Sequence, residues 1–475
     1  MDRIDSEIVV VGAGPGGYTA AFYAADKGKQ VILVDRDQSL GGVCLNRGCI
    51  PSKALLHASM LVREAREAGR MGITFADPKI DIAVLRGWKD SVIGKLAGGI
   101  ATLAQKRGVK VLNGRGYFEG SNLLRVETQE GQQFIKFQTA IVAVGSEPAM
   151  PAAFDLGNKR IMTSTEALDI QDIPGDLLIV GGGYIGMELG TVYACLGSRI
   201  VMAEALPSIL TGADPDLTRS VKKYAEANFK EVRVEAKVIK MATQKNKIKV
   251  VMEHGGAVKE ELYDRVLVSV GRKPNRQNLG LENTKATVDE KGFIRVDSQL
   301  RTNDPSIYAI GDIAGGVLLA HKAAKEAKVA VEVICGEAST MQDVVIPAVV
   351  FTDPELAWCG LTETDAKARG INVKCVRFSW AASGRAMTLD RPDGMTKLVL
   401  DPATERVLGV GIVGYGAGDL IGEGVLAVEM GATARDVAEV VHPHPTLSET
   451  LMETAEAFYG HATHTFVPKR NPEAL

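Results

Sequence analysis

Apolar residues in EIVVVGAGPGGYTAAFYAADKGKQVILVD, residues 7–35, fall into two short runs separated by a longer mixed stretch. The first run, Ile8 to Val11, ends in glycines, and the second runs from Val31 to Asp35. Short apolar runs bounded by glycine read as buried strands, and the alanine-rich stretch after Gly17 reads as the helix that joins them. DLLIVGGGYIGMELGTVYACLGSRIVMAE, residues 176–204, repeats the pattern. Gly12, Gly14, Gly17 and Asp35 correspond to Gly181, Gly183, Gly186 and Glu204, every offset being 169 residues.

Two further apolar runs end in glycine, AIVAVGS at 140–146 and RVLVSVGRKPN at 265–275, and each is expected to close one of these units. Between 101 and 138, the stretches Lys110–Leu112, Leu123–Thr128 and Gln133–Phe137 read as small antiparallel strands inserted in the first unit. IYAIGDI, 307–313, is another short apolar stretch, and HKAAKEAKVAVEVICG, from His321, reads as a helix stopped by Gly336. From Val345 onward the pattern turns to strands and helices with no nucleotide signal. The expected division is 1–150, 151–275, a central segment 276–345 that completes the first region, and a C-terminal domain 346–475.

A lone Gly-x-Gly-x-x-Gly is weak evidence, because 51 glycines in 475 residues yield about one match from composition alone. GVGIVG, Gly409 to Gly414, is such a match, with Ala432 where the acid should stand. The strand–turn–helix–strand context sets the other two apart. There the first glycine makes the tight turn, the second lets backbone approach a pyrophosphate, and the third packs helix against strand. The helix N-terminus faces the phosphates, and the acid takes a ribose hydroxyl. Two such units imply two dinucleotides in one chain.

Apolar content of 46% and charge of 24% are those of a folded protein, and a net charge of −3 offers no nucleic-acid footprint and no polybasic membrane patch. MDRIDSEIVV lacks the basic and apolar regions of a signal peptide, so the expectation is a cytoplasmic protein without membrane insertion. In that compartment most of the six cysteines should be reduced and inert, and Cys195, Cys335, Cys359 and Cys375 read as core packing.

GGVCLNRGCIPSK, residues 41–53, holds the remaining two, Cys44 and Cys49. Neither a regular helix nor a strand brings residues five apart within the ~7 Å that a disulfide needs. A bent turn can, and Gly48 makes one cheap, while Pro51 suits the first turn of a following helix. Zinc would need a second ligand pair, which the sequence does not offer. Two structural thiols remain an alternative. The position, soon after the first unit's acid, favours a redox disulfide beside whatever the first nucleotide carries. A hydride carrier exchanges electrons poorly with a dithiol, whereas a flavin accepts a pair from either partner, so the scheme needs FAD between a nicotinamide and the cysteines.

GGVCLNRGCIPSKALLH, the paired nucleotide units, IYAIGDI, AHKAAKEA, WAASGRA and HPHPTLSE together resemble the flavin-dependent pyridine nucleotide–disulfide oxidoreductases, over essentially the whole chain and in order. Within that family the resemblance is to the enzymes that oxidise dihydrolipoamide. It implies an α/β fold with two Rossmann-like dinucleotide-binding domains, the first for FAD and the second for NAD, plus a C-terminal α+β dimerisation domain. The resemblance puts Gly12, Gly14, Gly17, Asp35, Lys53, Asp312 and Ala320 at FAD, and Gly181, Gly183, Gly186, Tyr184, Glu204 and Gly271 at NAD. It implies that Cys44 exchanges with the substrate thiols, that Cys49 faces the flavin, that Lys53 pairs with Glu188, and that Tyr184 screens the flavin. Asp35 departs mildly from the family, which usually has Glu there. The implied partners are a second copy of the chain and the lipoyl domains and E2 core of a 2-oxoacid dehydrogenase complex, or the glycine cleavage H protein. No metal is implied.

A thiol with a pKa near 8.5 is only about 3% ionised at pH 7, so dithiol oxidation benefits from a base, and histidine titrates in the right range. Of seven histidines, His442 and His444 lie in HPHPTLSE, with Glu449 five residues beyond His444. A carboxylate beside an imidazole fixes its orientation and stabilises the imidazolium. The segment alone is equally compatible with surface histidines in a turn. The resemblance selects His444 as base and Glu449 as its partner, acting on the cysteines of the other subunit. Glu204 would accept the free 2′-hydroxyl of NAD and repel the 2′-phosphate of NADP, and the following Ala205, Leu206 and Pro207 supply no arginine.

Overall fold

β-Branched residues without polar alternation form a strand only where both sheet faces are covered. In the computed structural model, which describes residues 3–465, Arg3–Val11 is such a strand. Ile8 and Val10 pack among Ala20, Ala24, Ala327 and Ala330 on one face. Val9 and Val11 pack with Phe118, Leu124 and Ile135 on the other. The helix Pro15–Asp26 begins with Pro15, whose missing N–H costs nothing at a first turn, and delivers the chain to Val31–Asp35, parallel to the first strand.

The backbone groups into two compact units. One comprises the chain up to Ala152, Met162–Asp172 and Val270–Asp343; the other comprises Ala153–Ile161, Ile173–Ser269 and the chain from Val344. In the first unit the sheet runs in the order Lys110–Asn113, Val31–Asp35, Arg3–Val11, Gly131–Val142. Lys110–Asn113 is parallel to Val31–Asp35, so it belongs to the nucleotide sheet and not to the antiparallel insert expected from the sequence. The insert is Arg115–Gly120, Leu123–Thr128 and the start of Gly131–Val142. AIVAVGS is not a separate strand either. Its first three residues, Ala140–Val142, end the 12-residue strand Gly131–Val142, which is parallel to Arg3–Val11 and, at its end, to Ile307–Ala309. Residues 101–106 belong to the helix Ile82–Lys106, which Asp81 caps by accepting the N–H groups of Ala83 and Val84.

The second unit repeats the plan. Glu231–Arg233, Arg199–Ala203, Asp176–Val180 and Arg265–Val268 lie side by side and parallel. Lys237–Gln244, Lys247–His254 and Ala257–Tyr263 form the antiparallel excursion. The same unit carries an antiparallel sheet in the order Ala348–Val350, Glu355–Gly360, Val407–Gly414, Met395–Leu400, Lys374–Ser379. The isolated GVGIVG match lies inside the strand Val407–Gly414 and makes no turn.

Lys397, on that sheet and only 1% exposed, donates to Asp214 at 2.9 Å, Asp216 at 2.9 Å and Glu363 at 2.6 Å. Asp214 and Asp216 flank Pro215, the first residue of the helix Pro215–Asn228 in the nucleotide half. Asp214 also accepts the N–H groups of Glu363 at 3.0 Å and Thr364 at 2.9 Å. The nucleotide half and the C-terminal sheet are thus joined through an ion cluster centred on the buried pair Lys397 and Asp214. Among the described residues no helix is long and apolar enough to cross a membrane.

Candidate active site

The two glycine turns are built alike to the level of single hydrogen bonds. Gly12 and Gly181 have φ of +104° and +107°, and a Cβ on either would strike a carbonyl oxygen, that of Ala143 or Ser269. A Cβ on Gly17 or Gly186 would strike the oxygen of Gly12 or Gly181. Gly14 and Gly183 differ: each precedes a helix, and a Cβ there meets nothing within 4 Å. That open space above a helix N-terminus fits a pyrophosphate in both turns. Asp35 accepts the N–H groups of Ala13 and, at 2.8 Å, of Asp37. Glu204 accepts those of Gly182 at 2.6 Å and Leu206 at 2.8 Å. The 169-residue offset that relates the glycines relates these donors too. Burial pushes the Asp35 carboxyl up, against the pull of its two N–H donors.

Beside the first turn opens a cavity of about 300 Å³, lined by Gly12, Asp35, Gly114, Gly116, Val144 and Pro274 among others. It has the size and lining for a nucleoside. The sequence reading missed Gly114 and Gly116; two glycines within the short interval between apolar runs, NGRGYF, were the signal. Asp312, just past the strand Ile307–Ala309, accepts from Ser146 Oγ, and Arg272 donates to the same hydroxyl at 2.7 Å. Ala320 opens the helix Ala320–Ile334. These residues and the first turn lie in one unit.

Cys44 sits in the short helix Gly42–Arg47 and Cys49 opens the helix Cys49–Glu67, with the break at Gly48. A Cβ at Gly48 would come 2.8 Å from the Val43 oxygen, so the bend that the spacing requires depends on glycine. Pro51 falls in the first turn, as expected. The two cysteines stand here as thiols with a hydrogen bond between them. The hydrogen bond to Cys49 and burial push the Cys44 thiol far above its ordinary value, while the charge of Lys53 opposes them. Cys49, at a helix N-terminus, stands where the backbone dipoles favour a thiolate. A Cβ on Gly42 would lie 2.6 Å from Gly14 Cα, so the cysteine segment packs directly on the first nucleotide turn.

In the second unit His444 Nδ1 lies 2.8 Å from Glu449 Oε1, and Glu449 Oε2 accepts the Thr446 N–H at 2.7 Å. Burial would raise the Glu449 carboxyl, but the Thr446 N–H and His444 outweigh it and hold it low. With Nδ1 engaged, Nε2 is the nitrogen left for a substrate, and the ring is largely exposed. The sequence reading missed two further histidine–carboxylate pairs. His442 Nε2 meets Glu423 at 2.7 Å, and His464 Nδ1 meets Glu453 at 2.5 Å. Glu188 is buried and accepts the Phe351 N–H at 3.1 Å. Tyr184, the first residue of the helix after the second turn, is exposed. Gly271, with φ of +129°, precedes the short strand Arg272–Pro274 in the first unit. Residues 466–475, the end of the expected C-terminal domain, lie outside the described residues.

Comparison with known proteins gives the same picture. The family model described as pyridine nucleotide-disulphide oxidoreductase matches residues 6–327, and that family's dimerisation domain matches residues 346–455. The dihydrolipoyl dehydrogenase of Vibrio cholerae is 47% identical over 462 residues, covering 97% of each chain. That of Buchnera aphidicola is 41% identical over 470 residues, covering 99% of each. Among solved structures, LpdA from Mycobacterium tuberculosis superimposes with a TM-score of 0.89 at 26% identity, over 96% of this chain and 100% of that one. The HOCl-induced flavoprotein disulfide reductase RclA from Escherichia coli, as its Cu(II) complex, gives 0.86 at 26% identity, again over 96% and 100%. Two nucleotide turns, a touching cysteine pair and a paired histidine, matched by family models over most of the sequence, have one common explanation: the chain belongs to the pyridine nucleotide–disulphide oxidoreductases.

Proposed function

We propose that the protein is a dihydrolipoyl dehydrogenase, oxidising protein-bound dihydrolipoamide to lipoamide and reducing NAD⁺ to NADH. The observation that carries the reading is the cysteine pair packed on the first nucleotide turn, in a chain that also holds a histidine fixed by a carboxylate. FAD is held by Gly12, Gly14, Gly17, Asp35, Lys53, Asp312 and Ala320, and NAD by Gly181, Gly183, Tyr184, Gly186, Glu204 and Gly271. When bound, FAD supplies the two-electron carrier between dithiol and nicotinamide.

The chain's own residues do the rest. His444 Nε2 takes a proton from one substrate thiol, with Glu449 on Nδ1 stabilising the imidazolium. The thiolate attacks Cys44 of the Cys44–Cys49 disulfide, a mixed disulfide forms, and Cys49 leaves as thiolate. The second substrate thiol then displaces Cys44, releasing lipoamide and the reduced pair. Lys53 and Glu188 supply charge for the electron transfer, and Tyr184 borders the nicotinamide at the second turn. Glu204, carboxylate and close to the second turn, favours NAD over NADP.

The working form is a homodimer built through residues 346–475, in which His444 of one subunit serves the cysteines of the other. Its substrates are lipoyl domains on the E2 core of a 2-oxoacid dehydrogenase complex, or the glycine cleavage H protein, in the cytoplasm. The test is anaerobic addition of dihydrolipoamide to the holoprotein, followed by NAD⁺. Long-wavelength flavin–thiolate absorbance should rise and then give way to NADH. Cys49→Ser should keep FAD yet produce no NADH; sustained turnover in that variant would remove the cysteine pair from the reaction.

A further inference from the structure

The helix Ala320–Ile334 carries a polar pair where an apolar one would pack more simply. Lys322 and Glu326 lie one turn apart and are buried, 7% and 4% exposed. Their ammonium and carboxylate are 2.8 Å apart. Removing such a pair from water costs several kcal/mol per ion, so it is a poor way to stabilise a core. Its remaining hydrogen bonds indicate another use. Glu326 Oε2 accepts the Gly311 N–H at 2.6 Å. Lys322 Nζ donates to the Gly315 carbonyl at 2.7 Å and the Gly311 carbonyl at 3.4 Å.

Both polar groups of Gly311 are thereby taken, and so is the carbonyl of Gly315 that ends the turn Gly311–Ala314. Lys322 has three N–H groups and meets three acceptors, so each of its donors has a partner in this position. The residue that follows the clamped glycine is Asp312. Its carboxylate is held from its other side by Ser146, which Arg272 orients in turn. Gly311 and Gly315 both have positive φ, +73° and +79°, a backbone form that would drift to other wells without fixed partners.

We propose that Lys322 and Glu326 are positioning residues for the flavin site: the ion pair fixes the turn Gly311–Ala314 so that the Asp312 carboxylate meets the bound flavin's ribityl chain in one orientation. The inference rests on the reading of Asp312 as an FAD contact. The charged ends of Glu326 and Lys322 bond to the turn and to each other, so their effect passes through Asp312 and its backbone.

The experiment uses full-length protein stripped of FAD and retitrated, following quenching of flavin fluorescence and the visible circular dichroism of the rebound flavin. Glu326→Ala and Lys322→Met should weaken FAD by about ten-fold or more, the effect expected when a buried hydrogen bond to a charged group is missing. Both should alter the visible dichroism. Glu326→Gln, which keeps an acceptor for Gly311, should recover most of the affinity. Asp312→Asn alone should weaken FAD, and Asp312→Asn with Glu326→Ala should lose little more than the worse single variant. Additive losses, or affinity and dichroism within two-fold of the parent in Glu326→Ala and Lys322→Met despite lower melting temperatures, would overturn the proposal. Unchanged affinity in Asp312→Asn would instead overturn the Asp312 assignment. Should Glu326→Ala fail to fold, Lys322→Met decides: about ten-fold weaker FAD with altered dichroism is expected, and parent-like affinity and dichroism overturn the proposal.

Discussion

The second glycine of each turn gives a clean separation of folding from binding. At Gly14 the backbone has φ −70° and ψ −176°, which alanine adopts without strain, and a Cβ meets no atom within 4 Å. Gly14→Ala should gain about 0.4–1 kcal/mol from a less flexible unfolded chain and lose a similar amount as a poorer helix cap. Apoprotein stability should therefore hold. The cofactor meets a different environment, because the methyl occupies the space a pyrophosphate needs. Overpacking of that kind costs about 1–3 kcal/mol, or roughly a 5- to 150-fold rise in the FAD dissociation constant. Gly183, at φ −73° and ψ 179° with the same open surroundings, sets up the matching experiment. Gly183→Ala should keep FAD and raise the KM for NAD⁺ by a comparable factor. Gly12→Ala is the contrast, since its Cβ would strike the Ala143 oxygen and unfolding should appear before any binding defect. The assays are apoprotein melting, FAD titration by fluorescence, and steady-state kinetics in NAD⁺. A Gly14→Ala protein that binds FAD like the parent, or a Gly183→Ala protein that loses FAD and keeps NAD⁺, would refute the assignment of the two turns.

Glu449→Gln removes the charge 2.8 Å from His444, and kcat/KM for dihydrolipoamide should fall about ten-fold, while NADH-to-dye electron transfer persists. Equal losses in both assays would break the link between Glu449 and thiol oxidation. The parent should show a strong preference for NAD over NADP in kcat/KM, and Glu204→Ala should narrow it; comparable values in the parent would sink the role of Glu204. Lys397→Met leaves the buried Asp214 without its cation, while Asp216 and Glu363 keep Arg377, and chemical denaturation should show a loss of about 3–5 kcal/mol. The same cluster fixes a pH dependence. Burial would raise the Asp214 and Asp216 carboxyls, but Lys397 and their other hydrogen bonds hold them below the ordinary range, as Lys397 holds Glu363. Their contribution is present above about pH 4 and is lost as pH falls through the depressed values. Parent melting temperature should drop on that descent, whereas Lys397→Met should gain between about pH 7 and 4 as Asp214, buried without a cation, takes up a proton. Parallel pH curves for the two proteins would contradict the cluster's role.

Features governed by neighbours along the chain are legible in the sequence itself. The glycine turns, their acids and the bend at Gly48 follow from local backbone constraint, and each is found in place. Pairing partners are less legible. Lys110–Asn113 has the same apolar character whether it joins a parallel or an antiparallel neighbour, and its attachment to Val31–Asp35 is decided by the helix Ile82–Lys106 between them. Gly131–Val142 reads as two pieces because polar Gln138 and Thr139 interrupt its apolar residues, although the backbone continues unbroken. The polar groups that orient the site are hidden for a related reason. Ser146 and Asp312 are 166 residues apart, and Lys397 and Asp214 are 183 apart, distances over which no periodicity carries information. Lys322 and Glu326 are visible as a motif, but an i, i+4 pair reads as a solvated helix face until burial is known.

The Lys397 cluster bears on how this chain can be taken apart. A fragment starting at residue 346 would retain Lys397 and Glu363 but leave Asp214 and Asp216 behind, so Lys397 would keep one of the three carboxylates that hold it. Chimeras that exchange the C-terminal sheet for that of a relative must carry the acids around Pro215 with it, or supply a lysine-free sheet. For engineering, the transplantable module is residues 153–161 and 173–269 together with everything from 344 onward, and the intuitive cut between nucleotide half and tail is the one to avoid.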